Sequence, residues 1–123
     1  MVVVRTYGLS HIGLAVENVE RALKFYREVF GVREVFRGPH EIQVVTPGNH
    51  DVIAFEENAT KAGKMAGVTH FGFRLVKPAD IDAAAEAVAR AGGKILERGD
   101  FVPGEPYIFA SDPDGYRIEI WFE

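Results

Sequence analysis

Short apolar or alternating runs, divided by turn-forming residues and by two longer stretches of helical period, fill this chain twice in the same order. Leu9 to Val16 is apolar and closes on Glu17 and Asn18, which predicts a buried strand. Val19, Ala22, Leu23, Tyr26 and Phe30 then recur at helical spacing, with Asn18 as N-cap and Gly31 as the C′ residue that ends the helix. Three more strands are predicted at Val32 to Phe36, Ile42 to Thr46 and Val52 to Glu56, with Pro47, Gly48 and Asn49 turning the chain between the last two. The order returns after a small, polar linker at about 58–67. Thr69 to Val76 reads as a strand, Pro78 suits a first helical turn, and Ile81, Ala84, Ala85, Val88 and Ala91 form an apolar stripe that stops at Gly92 and Gly93. Lys94 to Glu97, Tyr107 to Ala110 and Arg117 to Phe122 complete the set. The expected fold class is therefore α+β, one domain of two βαβββ modules at about 1–57 and 68–123. A sheet from each, paired about a pseudo-twofold axis, would curl into a half-open barrel with helices outside and a cavity within.

The repeat carries chemistry as well as pattern. His11, Ile12, Gly13, Leu14, Ala15, Val16 is echoed by His70, Phe71, Gly72, Phe73, Arg74, Leu75, the imidazoles standing 59 residues apart (70 − 11). Side chains alternate across a strand, so His11, Gly13 and Ala15 share one face, as do His70, Gly72 and Arg74, while the apolar partners pack beneath the helices. On the last strand Glu119, Trp121 and Glu123 lie opposite Ile118, Ile120 and Phe122. His11, His70 and Glu119 are thus the expected metal ligands, with Glu119 also expected to be catalytic. Two neutral imidazoles and a carboxylate leave coordination positions open to substrate, the arrangement of catalytic divalent centres, and Fe, Mn, Zn and Ni are not distinguished.

Around that trio, Arg74 suits a carboxylate or phosphonate of the substrate, with a salt bridge to Glu119 as the competing role. Tyr107, Phe109 and Trp121 are expected to line the cavity as substrate-binding surfaces. Aligning Val52, Ile53, Ala54, Phe55 with Arg117, Ile118, Glu119, Ile120 puts Ala54 where a fourth ligand would stand, and alanine cannot bind metal. Glu56 shares the face of Ala54 and could reach inward, with a solvated carboxylate at the strand end as the favoured reading. His40 and His50 read as solvated loop residues, and Asp112 to Gly115 as a tight turn.

Bulk composition narrows the setting. Of 123 residues 47% are hydrophobic and 26% charged, the balance of a globular chain. A net charge of −4 leaves no basic surface for nucleic acid and favours a small-molecule ligand. With no cysteine, disulfides, thiolate nucleophiles and Cys-based zinc sites are excluded. Met1 to Tyr7 lacks the pattern of a secretion signal and no segment reaches membrane-spanning length, so a cytoplasmic protein without membrane association is expected.

The stretches His11 to Val16, Thr69 to Leu75 and Asp112 to Glu119 resemble the vicinal oxygen chelate superfamily, which includes glyoxalase I, extradiol dioxygenases, fosfomycin-inactivating thiol transferases and bleomycin-binding proteins. The resemblance implies paired βαβββ modules, a metal held at His11, His70 and Glu119, and a homodimer. The modules could then pair within a chain, or across two, with His11 from one chain and His70 and Glu119 from the other. Departures are specific. Glyoxalase I places a carboxylate, usually also its base, where Ala54 stands; the dioxygenases and thiol transferases place a tyrosine at Phe109; the thiol transferases also expect a threonine at Gly13 and an arginine beyond Glu123. The expected function is a divalent-metal enzyme binding a substrate through vicinal oxygens, as a dioxygenase, thiol transferase or lyase/isomerase. The alternative is a metal-free drug- or small-molecule-binding protein of the bleomycin-resistance kind.

Overall fold

A computed structural model describes residues 3–123. Met1 and Val2, part of the segment on which the cytoplasmic expectation rests, lie outside the described residues. The chain runs β1 (His11–Val16), α1 (Val19–Phe30), β2 (Arg33–Arg37), β3 (Glu41–Val45), β4 (Val52–Glu57), β5 (Phe71–Arg74), a 3₁₀ turn (Pro78–Asp80), α2 (Ile81–Arg90), β6 (Lys94–Asp100), β7 (Pro106–Ser111) and β8 (Arg117–Trp121). The expected α+β class and the repeated βαβββ order are both present. Among the described residues no helix is long and apolar enough to cross a membrane.

Each half forms one four-stranded mixed sheet, ordered β1-β4-β3-β2 and β5-β8-β7-β6, with β1 parallel to β4 and β5 parallel to β8. Among the described residues the two sheets are not joined by strand pairing, so the half-open barrel does not close within one chain and β1 and β5 have no second strand neighbour. The reason lies in the helices. They pack on the apolar sheet faces and against each other, and one core takes in Leu14, Phe25, Ile42, Phe55, Val88 and Ile118 from both halves. Phe30 of α1 stacks on Phe73 of β5 at 3.8 Å. The opposite faces, which carry the histidines, are left outside this core.

Local chemistry explains the boundaries. Asn18 caps α1, its side chain accepting from the Arg21 amide at 3.0 Å, and Gly31 ends the helix at φ 67° with its amide on the Arg27 carbonyl. Pro78 opens a 3₁₀ turn rather than the helix itself, which begins at Ile81. β5 is shorter than the predicted Thr69 to Val76, because its pairing with β8 spans only Phe71 to Arg74, so His70 sits immediately before the strand. β6 runs on to Asp100 because Gly99 and Asp100 pair with Tyr107 and Pro106, a polar edge that apolar patterning does not register. The outermost strands β2 and β6 are both bulged, between Glu34 and Phe36 and between Ile95 and Glu97, which twists each exposed edge away from further pairing.

The predicted turn at Asp112 to Gly115 does more than reverse the chain. Asp112 is buried, its Oδ1 accepting from the amides of Asp114, Gly115 and Tyr116 at 2.9–3.0 Å and its Oδ2 from the Tyr26 hydroxyl at 2.7 Å. Burial pushes the carboxyl above its usual range, opposed by those hydrogen bonds. Asp114 accepts from Arg21 at 2.8 Å and from the Glu17 amide at 2.9 Å, and the Tyr116 hydroxyl donates to the Ala15 carbonyl at 2.7 Å. One loop of the second half thereby docks on the β1–α1 junction of the first. Replacing Tyr26 by Phe strips Asp112 of a buried donor and should lower unfolding free energy by about 1–3 kcal/mol in urea denaturation; an unchanged midpoint would show that the contact contributes nothing net.

Candidate functional site

Parallel pairing sets corresponding residues of the two halves in the same frame. Gly13 stands beside Ala54 across β1 and β4, and Gly72 beside Glu119 across β5 and β8. In the second half, His70 Nε2 lies 3.8 Å from Glu119 Oε1, the imidazole exposed and the carboxylate with only 15% of its side chain accessible. Gly72 makes room for this: a Cβ there would sit 3.5 Å from Glu119 Cβ and 3.4 Å from Trp121 Nε1, so the indole folds over a strand position that has no side chain.

The aromatic residues expected around the centre divide into two groups. Phe109 meets the His70 ring edge-on at 5.1 Å between centroids and lies beside Glu119 across β7 and β8. Trp121 lies over Gly72, as described. Tyr107 meets the Phe109 ring edge-on at 5.7 Å and also bonds away from it: its hydroxyl donates to Glu97 at 2.7 Å, which raises its pKa, and its ring stacks on Phe101 at 4.5 Å. Arg74 is exposed, and among the described residues it makes no salt bridge with Glu119 or any other carboxylate. It lines a groove of about 580 Å³ at the edges of β1 and β5, together with His11, Val52, Phe71 and Phe73.

In the first half, His11 is exposed and lines a hollow of about 320 Å³ with Ser10, Gln43, His50, Val52 and Ala54. His50, which the sequence places in a solvated loop, is therefore a neighbour of the site. His40 stays outside it, 3.4 Å from Glu57. Among the described residues, no three His, Asp or Glu side chains of one chain converge on a common point. The structure brings His70 and Glu119 together and leaves His11 on the other sheet.

Patterning also overlooks two features. In both halves the residue before the histidine carries a hydroxyl bonded to the imidazole: Ser10 Oγ to His11 Nδ1 at 2.8 Å and Thr69 Oγ1 to His70 Nδ1 at 3.0 Å. The signal was available, since Ser-His and Thr-His recur with the repeat. Arg117 lies over the Phe109 ring at 4.3 Å, which needed the β7–β8 register to be seen. Glu56 is exposed, as expected of a carboxylate at the strand end, and its Oε2 also reaches back towards Gly13, the inward direction that its strand face allows.

The donor set fits a divalent cation. Imidazole and carboxylate are borderline and hard donors, and a second partner on each Nδ1 orients the ring with Nε2 outward, as in metal sites generally. Residues 8–120, which take in both βαβββ halves, are matched by a family model. The chain belongs to the Glyoxalase/Bleomycin resistance protein/Dioxygenase superfamily. Within this superfamily it is 33% identical over 122 residues to a probable lactoylglutathione lyase of Vibrio parahaemolyticus, covering 91% of this chain and 88% of that one. It is 27% identical over 118 residues to the manganese-dependent 2,3-dihydroxybiphenyl 1,2-dioxygenase of Geobacillus genomosp. 3, covering 93% of this chain but only 36% of the dioxygenase. Its fold matches a variant of the fosfomycin resistance protein FosX of Listeria monocytogenes, complexed with Mn(II) and 1S,2S-dihydroxypropylphosphonic acid, at TM-score 0.78 and 22% identity, covering 94% and 90% of the two chains. These relatives are enzymes of different reaction classes, so the superfamily is established and the particular reaction is not assigned by likeness.

The hydroxyl partner gives a direct check on the site. Thr69→Val keeps the branched shape and removes the bond to His70, so the His70 ring-nitrogen NMR shifts should move towards the other tautomer while those of His11 and the thermal midpoint stay put. Unchanged His70 shifts would mean that Thr69 does not orient the ring.

Proposed function

We propose that the protein is a divalent-metal-dependent enzyme acting on a small molecule that chelates the ion through adjacent oxygens. His70 and Glu119 of one chain and His11 of a second chain are its ligands, and the assembly is a homodimer. The observation that carries this reading is the repeated hydroxyl–imidazole pair, with one histidine already 3.8 Å from a carboxylate. Two arguments favour a shared centre. Both histidine-bearing faces lie outside the core that joins the two halves, and among the described residues one chain does not assemble the three ligands.

A divalent ion held there supplies Lewis acidity to the bound oxygens of the substrate. The residues of the chain do the rest. The Ser10 and Thr69 hydroxyls pair with the two Nδ1 atoms, and with Nδ1–H as donor in each pair the Nε2 lone pairs would be free for the ion. Phe109 and Trp121 wall the site beside Glu119 and exclude water on that side. Arg74, with no carboxylate partner among the described residues, orients an anionic substituent. Ala54 supplies no carboxylate of its own at the position where an isomerisation of the glyoxalase I kind carries its base.

Manganese titration of the purified protein should show about one site per chain, with His70→Ala and Glu119→Ala each weakening affinity by roughly a hundredfold. Ligand binding that survives both chelator treatment and Glu119→Ala would instead identify a metal-free binding protein.

Subunit mixing separates the two pairings. A His11→Ala chain mixed with a His70→Ala chain should regain one intact site in each mixed dimer, about half of the manganese capacity of those dimers. If the mixture binds no better than either variant alone, the centre is not shared between chains.

A further inference from the structure

The two halves differ at one corresponding position, and the first half carries a carboxylate two residues away. Beside Gly72 the second half has Glu119; beside Gly13 the first half has Ala54. Yet a Cβ built on Gly13 would meet Glu56 Oε2 at 2.7 Å. That carboxylate belongs to the next row along β4, where Glu56 pairs with Ala15, and it has bent back one row to lie over the glycine. A carboxylate therefore lies beside the strand glycine in both halves.

Glu56 is exposed and, among the described residues, makes no side-chain hydrogen bond or ion pair, and three local features favour this direction. Gly13 offers no side chain in its path, and Ala54 adds only a methyl group at the level it approaches. Directly across β3 and β4, Glu56 faces Glu41, a like charge that repels it; Glu41 is bonded to Gln43, so Glu56 is the one that leans away. Among the described residues, Glu56 has no cationic partner, and two adjacent carboxylates on one face are an arrangement that a cation relieves.

We propose that Glu56 supplies the first half's carboxylate to the metal centre, reaching back over Gly13 in place of the residue that Ala54 cannot provide. The inference rests on the metal-centre reading above and adds a fourth ligand to it. It also makes Gly13 a positioning residue, because a side chain there would push the flexible end of Glu56 out of the space it now occupies.

Manganese affinity of the full-length protein, measured by chelator competition, tests this without any assay of turnover. Glu56→Gln should weaken binding roughly tenfold or more. Gly13→Val should do the same with the carboxylate chemically intact, and Glu57→Gln, at the neighbouring residue of β4, should leave affinity unchanged. Introducing Ala54→Glu into the Glu56→Gln variant should restore binding, because it returns a carboxylate to the same level of the sheet. If Glu56→Gln binds as the unaltered protein does while His70→Ala does not, Glu56 is no ligand and the three-residue centre stands. If the unaltered protein and His70→Ala bind manganese equally poorly, the metal-centre reading itself fails, and this inference with it.

Discussion

Asp112 is the carboxylate through which the two halves hold one another. Its four hydrogen bonds use both oxygens: three amides shape the turn into β8, and the Tyr26 hydroxyl reaches it from α1 of the other half. With Asp114 gripping Arg21 and the Glu17 amide, the turn before the last strand is locked to the junction after the first. Asp112, with both oxygens partnered, favours one arrangement over others, because a shift would leave a desolvated polar atom unpaired, as, among the described residues, Asp114 Oδ2 and Arg21 Nε already are beside it. These bonds fix the second half's turn against α1, while α1 and α2 pack into a common core that leaves the histidine-bearing sheet faces outside it.

The outward faces are built on a shared scheme with one asymmetry. Each half opens with a hydroxyl residue, a histidine and, two residues on, a glycine beside the last strand of its sheet. The hydroxyl orients the imidazole and the glycine clears the floor. In the second half that floor carries Glu119 and the folded indole of Trp121, whereas in the first it carries the small Ala54 and the bent side chain of Glu56. Phe109 sits between His70 and the Arg117 guanidinium, so the second half is also the more aromatic wall. The unequal halves give a potential centre a carboxylate-rich, open side and a closed, aromatic one.

Much of this was legible from the order of residues. The strands around His11, Ile42, Val52 and Ile118, the capped helix from Asn18 to Gly31 and the face shared by His11 and Gly13 follow from alternation and turn chemistry, which act over a few residues. The length of β6, the late start of β5 and the separation of the two sheets did not follow, because each depends on which distant strand or helix a segment meets. The same holds for Tyr107. Its place on the site face was readable, but its bond to Glu97 requires the β6–β7 pairing.

Local order along the chain thus determined the α+β class, the duplicated frame and the face on which the histidines and Glu119 stand, since period-two alternation assigns faces without reference to anything far away. Tertiary structure alone decided that His70 and Glu119 meet while His11 stands apart, and that Glu56 lies over Gly13. Those outcomes turn on helix packing between sheets and on cross-strand register, where ångström distances and like-charge repulsion choose among side-chain directions that the residue order leaves equal.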